Sequence, residues 1–481
     1  MSLDIYNTLT RKVEKFAPLS EGVVKIYSCG VTTYDEIHLG HARQAIVFDV
    51  IRNYFQLMGY KVEYVRNYTD IDDKIIRRGI ERGIPWSQVS EYYIEQSQKD
   101  LEKLKVKPAT HEPKVTEHIP DIIYFIQVLI DKGVAYTVDG NVFLDITKIK
   151  DYGKISNRKI DELISEKEAP QKRNIQDFSL WKAAKKDEPF WDAPWGKGRP
   201  GWHIECSVLA YKYLGSRLDI HGGGIDLLFP HHENEIAQSE AFNEVQFANY
   251  WMHNGLVQIN GQKMSKSLGN FLTVKDALKK QTVDEVRYIV LVHNYASQID
   301  FSEELFVDAR KRLYYFYKTL NKLQEFNYVS SPDETNCPEI IRQLTSSFQV
   351  CMDGNFNTAK VVSLLSQVFS TLNDVLENGK MSKGDKENIF SIFKNQFSDI
   401  TTVLRIFDDD PEKYLNQLQN LIFKENGTSY EEVLNLISAR QKARGEQNYQ
   451  ESDRIRDELL SMKVSVKDNS ENKIDWDLVF D

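Results

Sequence analysis

The chain has 481 residues, 41% hydrophobic and 27% charged, the proportions of a soluble globular protein with material for roughly three domains of about 150 residues. A net charge of −10 argues against nucleic acid binding through bulk charge, so such a partner has to be met by local patches. The opening segment MSLDIYNTLTRKVEKF lacks the apolar stretch of a signal peptide, and no apolar run reaches the ~20 residues that span a bilayer, so a cytoplasmic protein without membrane contact is expected.

EGVVKIYSCG reads as a β-strand, β-branched and ending in glycine. HARQAIVFDVIRNYFQLMG reads as a helix: Ala45, Val47, Phe48, Val50, Ile51 and Phe55 recur at helical spacing and Gly59 lies just past the end. KVEYVRN is a second strand, and strand, helix and strand within about fifty residues make a βαβ unit and hence a parallel sheet. Residues from about 95 to 200 carry many charges, scattered prolines and short strand-like pieces such as GVAYTVDGNVFLDI, as an insertion between two halves of one sheet domain would. The α/β pattern returns at LDIHGGGIDLLF, a strand with a glycine-rich exit, followed by the helix HENEIAQSEAF.

Beyond about residue 305 the pattern is almost wholly helical, with the linker SSPDETNCPE, a long charged helix in SYEEVLNLISARQKARGEQNYQESDRIRDELLSM and a polar tail. The expected fold class is α/β, a split parallel-sheet domain followed by an all-α region. The segments divide as 1–95 and 201–250 for the two sheet halves, 96–200 for the insertion, 251–310 for a linking segment, 311–405 for a helical bundle and 406–481 for a small C-terminal region.

Two short stretches carry chemistry. HLGH, 38–41, stands where the first strand gives way to the first helix, and a helix N-terminus offers backbone N–H groups and partial positive charge to a phosphate. Gly40 permits close approach, and His38 and His41, three apart, can face one ligand. The second stretch, GQKMSKSLGN, places Lys263 and Lys266 in a glycine-flanked loop able to close over a ligand and reopen. The four cysteines, Cys29, Cys206, Cys337 and Cys351, do not suggest a disulfide framework in a chain of this length. Cys29, Cys206, His231 and Glu235 make a zinc-type donor set, with His231 and Glu235 four apart on one helix face. The same residues also read as two buried thiols and an acidic helix start. Asp70, Asp72 and Asp73 read as a helix start rather than a cation site.

HLGH and KMSKS together, in this order and context, are the paired signature of the class I aminoacyl-tRNA synthetases, with Leu39 where isoleucine is commoner. YSCG, GWHIECS and FPHHENEIAQS resemble cysteinyl-tRNA synthetases over most of the chain, from IYNTLTR to IDW, most densely over 25–75 and 178–275. The resemblance implies a Rossmann-like catalytic domain that activates L-cysteine with ATP and Mg2+ and passes it to the 3′-terminal adenosine of tRNA(Cys). It implies one zinc ion on Cys29, Cys206, His231 and Glu235 that selects the substrate thiol over serine, which a shaped apolar pocket does poorly. His38, His41, Lys263 and Lys266 then act on the ATP phosphates, with Lys266 the main contact. Asp226 in GGGID approaches the ribose, and Thr69, Trp202 and His221 shape the cysteine pocket. The helical half is expected to read the anticodon, with Arg440, Lys442, Arg444, Arg454 and Arg456 on backbone phosphates, in a protein that is commonly monomeric. Two other readings stand beside it: transfer of cysteine to an amino sugar, and a non-catalytic tRNA-binding relative.

Overall fold

The computed structural model describes residues 3–158, 172–263, 271–468 and 474–480. A hairpin of β1 (Asp4–Asn7) and β2 (Lys12–Lys15) precedes the expected βαβ unit, formed by β3 (Val23–Thr32), α1 (Leu39–Leu57) and β4 (Lys61–Thr69). Neither proline nor a second glycine interrupts α1 after Gly40, and the chain leaves the helix at Gly59, whose φ of +88° suits glycine. Helices α2 (Asp73–Arg82) and α3 (Trp86–Lys103) follow, then α4 (Ile119–Asp131). The insertion contains an antiparallel sheet, β5 (Ala135–Val138), β6 (Asn141–Leu144), β7 (Phe178–Ala183) and β8 (Gly198–Pro200), in that order.

The chain returns through α5 (Trp202–Leu214) to β9 (Leu218–Gly224), α6 (Glu233–Asn243) and β10 (Ala248–Asn254). The central sheet runs β10-β9-β3-β4, parallel throughout. Its order reverses between β3 and β9, and a crevice at the carboxyl ends of two such strands is where α/β sheets bind ligands. Helix α1 packs directly on this sheet: a Cβ at Gly222 of β9 would stand 2.0 Å from the Phe48 ring.

A three-stranded sheet of β11 (Val257–Ile259), β12 (Gln262–Lys263) and β13 (Ile299–Asp300), with α7 (Val274–Ala277) and α8 (Val283–Leu291), leads into α9 (Glu303–Leu323). The helical region continues as α10 (Glu339–Arg342), α11 (Leu344–Asp353), α12 (Thr358–Glu377), α13 (Lys383–Leu404) and α14 (Pro411–Glu425). A buried joint ties it to the sheet half: Arg287 of α8 donates to Asp49 of α1 at 3.4 Å, to Leu104 O at 2.8 Å and to Leu404 O at 2.7 Å.

Two expectations for the C-terminus are corrected. The long charged helix is two, α15 (Tyr430–Gly445) and α16 (Tyr449–Ser461), broken at Gln447 with φ +58° and restarted by the Asn448 cap. The polar tail contains a hairpin, β14 (Val464–Asp468) with β15 (Ile474–Leu478), in which Val464 and Leu478 face each other and are buried. The segment limits set at 95/96, 250/251 and 310/311 fall inside α3, β10 and α9, because shifts in composition do not mark where backbone elements start.

Candidate active site

The crevice between β3 and β9 opens into a cleft of about 360 Å³. On its β3 wall the ladder with β4 slips between Ser28 and Val31, a bulge of the kind that re-aims a side chain. Gly30 allows it: its N–H donates to Asn67 Oδ1 at 3.0 Å, and a Cβ there would lie 1.5 Å from the Asn67 carbonyl oxygen. The bulge sets Cys29 beside the irregular turn 228–232 and the start of α6, while α5 brings in Cys206. The donor atoms of Cys29, Cys206, His231 and Glu235 all lie within 4.8 Å of one another, and all four residues are buried.

The set fits a tetrahedral zinc. Bonds of about 2.0–2.3 Å give tetrahedral edges of about 3.3–3.8 Å. Here Cys206 Sγ lies 3.6 Å from His231 Nε2 and Cys29 Sγ 3.3 Å from Glu235 Oε1, within that range, while His231 Nε2 and that same oxygen stand closer, at 3.0 Å, and would part slightly around an ion. The outer contacts orient the donors. His231 Nδ1 meets His203 Nδ1 at 2.9 Å, leaving Nε2 for the cluster, and Glu235 Oε2 is held by His221 Nε2 at 2.8 Å, leaving Oε1. A second group, Cys29, His221 and His232, shares Cys29 and belongs to the same site.

Protons balance the charges of this cluster. Burial lifts the Cys29 thiol well above its usual value, whereas the hydrogen bond from Cys29, opposed by burial, brings Cys206 down to about 6. Burial disfavours charge on His231, yet the Glu235 carboxylate more than offsets it and raises His231 to about 10. Glu235, penalised by burial, is held well below the usual carboxylate range by His221 and His231. Metal binding would displace these protons. Behind the cluster, burial keeps His232 well below its ordinary value and His253 at about 3. They form a relay of neutral rings, His232 Nδ1 to His253 Nε2 at 2.8 Å and His253 Nδ1 to Thr8 Oγ1 at 2.9 Å.

The other wall of the cleft is the start of α1. His38 is the N-cap: its Nδ1 accepts from Gly40 N at 3.0 Å and His41 N at 3.4 Å, and His41 Nδ1 accepts from His38 N at 3.4 Å. Leu39 N donates to Leu272 O at 3.2 Å. The expected backbone anion site is therefore already engaged. What the turn presents instead is two stacked imidazoles, centroids 3.7 Å apart, each with Nδ1 accepting and its proton consequently on Nε2. Leu272 and Val274, whose N–H donates to Ile37 O at 3.0 Å, fasten the downstream end of the lysine loop to this turn. Lys263 ends β12, whereas Lys266 and the rest of 264–270 lie outside the described residues.

The cleft thus gathers His38, Gly40, His41, Thr69, Trp202 and Asp226 with three of the four metal donors. Trp202 stacks on the His231 ring at 4.3 Å, and Thr69 donates to buried Glu205 at 2.6 Å. Glu235 and His221 stand behind the cleft wall, fully buried, so His221 reaches the pocket through Glu235. The aspartate run caps α2: Asp72 accepts from Lys74 N, Asp73 pairs with Lys182 and Arg199, and Asp70 turns inward to Thr116. Sequence reasoning missed Asn67, Gln44, Tyr34 and Lys74 in the cleft, the last with its ammonium 5.2 Å from the Tyr34 ring centroid. It also missed His203, His232, His253 and Glu205; the doubled histidine of FPHHENE was the available signal for His232.

Comparison with known proteins agrees with this architecture. Residues 15–311 match the family described as tRNA synthetases class I (C) catalytic domain. Solved structures share the fold: Mycobacterium tuberculosis methionyl-tRNA synthetase in complex with methionyl-adenylate aligns over 85% of this chain and 94% of its own, at TM-score 0.58 and 12% identity. Agrobacterium radiobacter K84 agnB2 LeuRS, in a ternary complex with tRNA and LeuAMS, covers 84% and 86% at TM-score 0.59 and 11% identity. The fold is that of a class I tRNA synthetase. Among curated relatives, the cysteine–tRNA ligase of Thermodesulfovibrio yellowstonii is 42% identical over 98% of both chains, and that of Aquifex aeolicus 43% identical over 97% of both. The chain belongs to the cysteine–tRNA ligase family.

Proposed function

We propose that the protein activates L-cysteine with Mg2+-bound ATP and transfers it to tRNA(Cys), using one zinc ion on Cys29, Cys206, His231 and Glu235. The observation that carries this reading is the placement of that buried donor set in the same cleft as the HLGH turn. Bound zinc supplies an acceptor for sulfur that prefers a thiolate to an alcohol, which separates cysteine from serine. Trp202, stacked on His231, walls the pocket, and Thr69 offers a fixed hydroxyl beside Cys206. Asp226, exposed at the rim, takes a ribose hydroxyl of ATP. The cysteine carboxylate attacks the α-phosphorus, a P–O bond forms and pyrophosphate leaves. His38 and His41 donate through Nε2 to the phosphate oxygens as charge builds on them, and Lys263 and Lys266 are the cations that offset the same charge. A hydroxyl of the terminal adenosine then attacks the acyl carbon and AMP departs. We take the enzyme to be a cytoplasmic monomer; among the described residues no helix is long and apolar enough to cross a membrane.

The test is cysteine-dependent exchange of pyrophosphate into ATP, with serine as control, on protein assayed for zinc, followed by charging of tRNA(Cys). Exchange with cysteine alone at about one zinc per chain supports the reading. Zinc-loaded, folded protein that exchanges nothing sinks it.

A further inference from the structure

The activation chemistry leaves one cation of the cleft without a task. Lys74 is the one lysine or arginine among the described residues that line the cleft, and it is exposed. Its acidic neighbours are committed elsewhere: Asp72 accepts from the Lys74 backbone N–H at 2.9 Å, and Asp73 grips Lys182 at 2.9 Å and Arg199. Lys182 and Arg199 belong to β7 and β8, so the start of α2 is pinned to the sheet of the insertion, and Lys74 stands where that sheet meets the cleft. Its ammonium lies 5.2 Å from the Tyr34 ring centroid, which steadies it without neutralising it. Arg77 and Arg78 follow one turn along the helix, beyond the cleft lining. Arg78 meets Asp35 at 3.2 Å, whereas Arg77 is exposed, and among the described residues neither it nor Lys74 has an ion-pair partner.

Three kinds of anion meet in such a cleft. The ATP phosphates fall to His38, His41 and the lysine loop, with the ribose at Asp226. The cysteine carboxylate is the attacking group, and a cation paired with it beforehand would stabilise the ground state and raise the barrier. The third anion is the backbone of the acceptor's single-stranded 3′ end. Lys74 follows β4, the edge strand of the sheet, whereas Asp226 and 254–257 follow β9 and β10 towards the other edge. A strand entering over the β4 edge reaches the acyl group without crossing ATP. We propose that Lys74 and Arg77 form a docking ridge for the phosphodiesters of the tRNA's single-stranded 3′ end. The ridge rests on the reading of the cleft as an aminoacylation site and names the side from which its acceptor enters. Fixed cations beside aromatic rings are the elements that hold single-stranded nucleic acid.

The experiment compares pyrophosphate exchange with tRNA(Cys) charging on full-length, zinc-loaded enzyme. Lys74→Ala is expected to lower kcat/KM for charging about tenfold, while the KM values for cysteine and ATP in exchange move less than about twofold. The slope of log kcat/KM against log salt falls by about 0.7, the share of one single-strand phosphate contact. Lys74→Arg keeps most of the charging rate. Wild type binds intact tRNA(Cys) more tightly than tRNA(Cys) trimmed of its single-stranded 3′ end, and Lys74→Ala removes that difference. A rise in the cysteine KM would place the carboxylate on Lys74, a rise in the ATP KM would place a phosphate of ATP there, and equal weakening for intact and trimmed tRNA would move the contact to another part of the tRNA; each overturns the proposal. If Lys74→Ala does not fold, Arg77→Ala decides: it loses charging and salt slope with exchange intact, and wild-type charging overturns the ridge. A wild-type enzyme that exchanges nothing removes the functional reading itself; a Lys74→Ala enzyme that charges like an active wild type removes this inference alone.

Discussion

Glu235 and Arg454 are each held by several partners, but the regions around them follow different rules. Glu235 lies between His221 at 2.8 Å and His231 at 3.0 Å with all three side chains sealed from solvent. Arg454 reaches Glu451 at 2.7 Å and Glu458 at 2.8 Å with its side chain 59% exposed. In the crevice, low dielectric makes each unpaired charge costly, and His231 and Glu235 are each tied to a specific outer partner, His203 and His221. On α16, water and salt screen the pairs, and their loss is felt little. The first region is arranged for one ligand at one geometry; the second is a surface whose charges exchange partners readily.

The sharpest way to break the contrast is to remove a donor from the crevice. Cys206→Ser is expected to lose zinc and to lower cysteine-dependent exchange by at least about a thousandfold, roughly 4 kcal/mol in the barrier. Metal analysis and exchange on one preparation check it, and a variant that keeps both zinc and rate would mean that the ion sits elsewhere.

The joint between the regions comes next. Asp49, 1% exposed, accepts from Arg52 at 2.7 Å and from Arg287 at 3.4 Å. Burial holds Arg287 below its usual value, with Asp49 and Asp284 opposing. Asp49→Ala leaves that guanidinium buried beside two carbonyls and is expected to cost about 3 kcal/mol of stability. Denaturant unfolding measures this, and folded variant should still exchange, since Asp49 touches no part of the cleft. A loss below about 1 kcal/mol would show that the carbonyls suffice.

His38 separates stability from rate within the crevice. His38→Ala removes both the cap of α1 and an Nε2 donor, so it should cost about 1 kcal/mol of stability and about a hundredfold in kcat, with zinc retained. His38→Asn keeps a capping oxygen without the ring, so it should restore the melting temperature and leave the rate low. Recovery of the rate as well would reduce His38 to a helix cap.

The same contrast explains what was legible in advance. Helical and strand periodicity is local, so β3, α1, β4, β9 and α6 were readable from runs of side chains. The spacing of His231 and Glu235 was readable too, because one helix face carries both. Cys29 and Cys206 could be named as donors by residue type, but their closeness was not readable from spacing: the bulge at Gly30 and the return of the chain through α5 bring them together across well over a hundred residues, and the family resemblance is what strengthened the set. His203 and His253 were missed because each meets the cluster through another histidine, a placement with no sequence period. The hairpin of β14 and β15 was read as a tail because its strands are short and charged, and only its paired register shows Val464 against Leu478. Arg440 was expected on a phosphate-binding face, yet it is 3% exposed, since within α15 it falls on the same buried face as Val433 and Ile437.

The smallest effect tests the surface region. Arg454 and Arg456 were expected to meet tRNA phosphates, but each is already occupied on its own helix, Arg456 by Asp453 at 3.0 Å and Asp457 at 3.1 Å. For either to bind tRNA it must leave those acids, and the exchange of one exposed pair for another yields little. Arg454→Ala and Arg456→Ala should therefore leave pyrophosphate exchange unchanged and shift the KM for tRNA charging by no more than about twofold. A shift above about tenfold that fades as salt is raised would show the pairs opening onto the phosphate backbone. The acids beside them would then act as gates on a tRNA surface, and α16 would follow the rule of the crevice, with charge held ready for one partner.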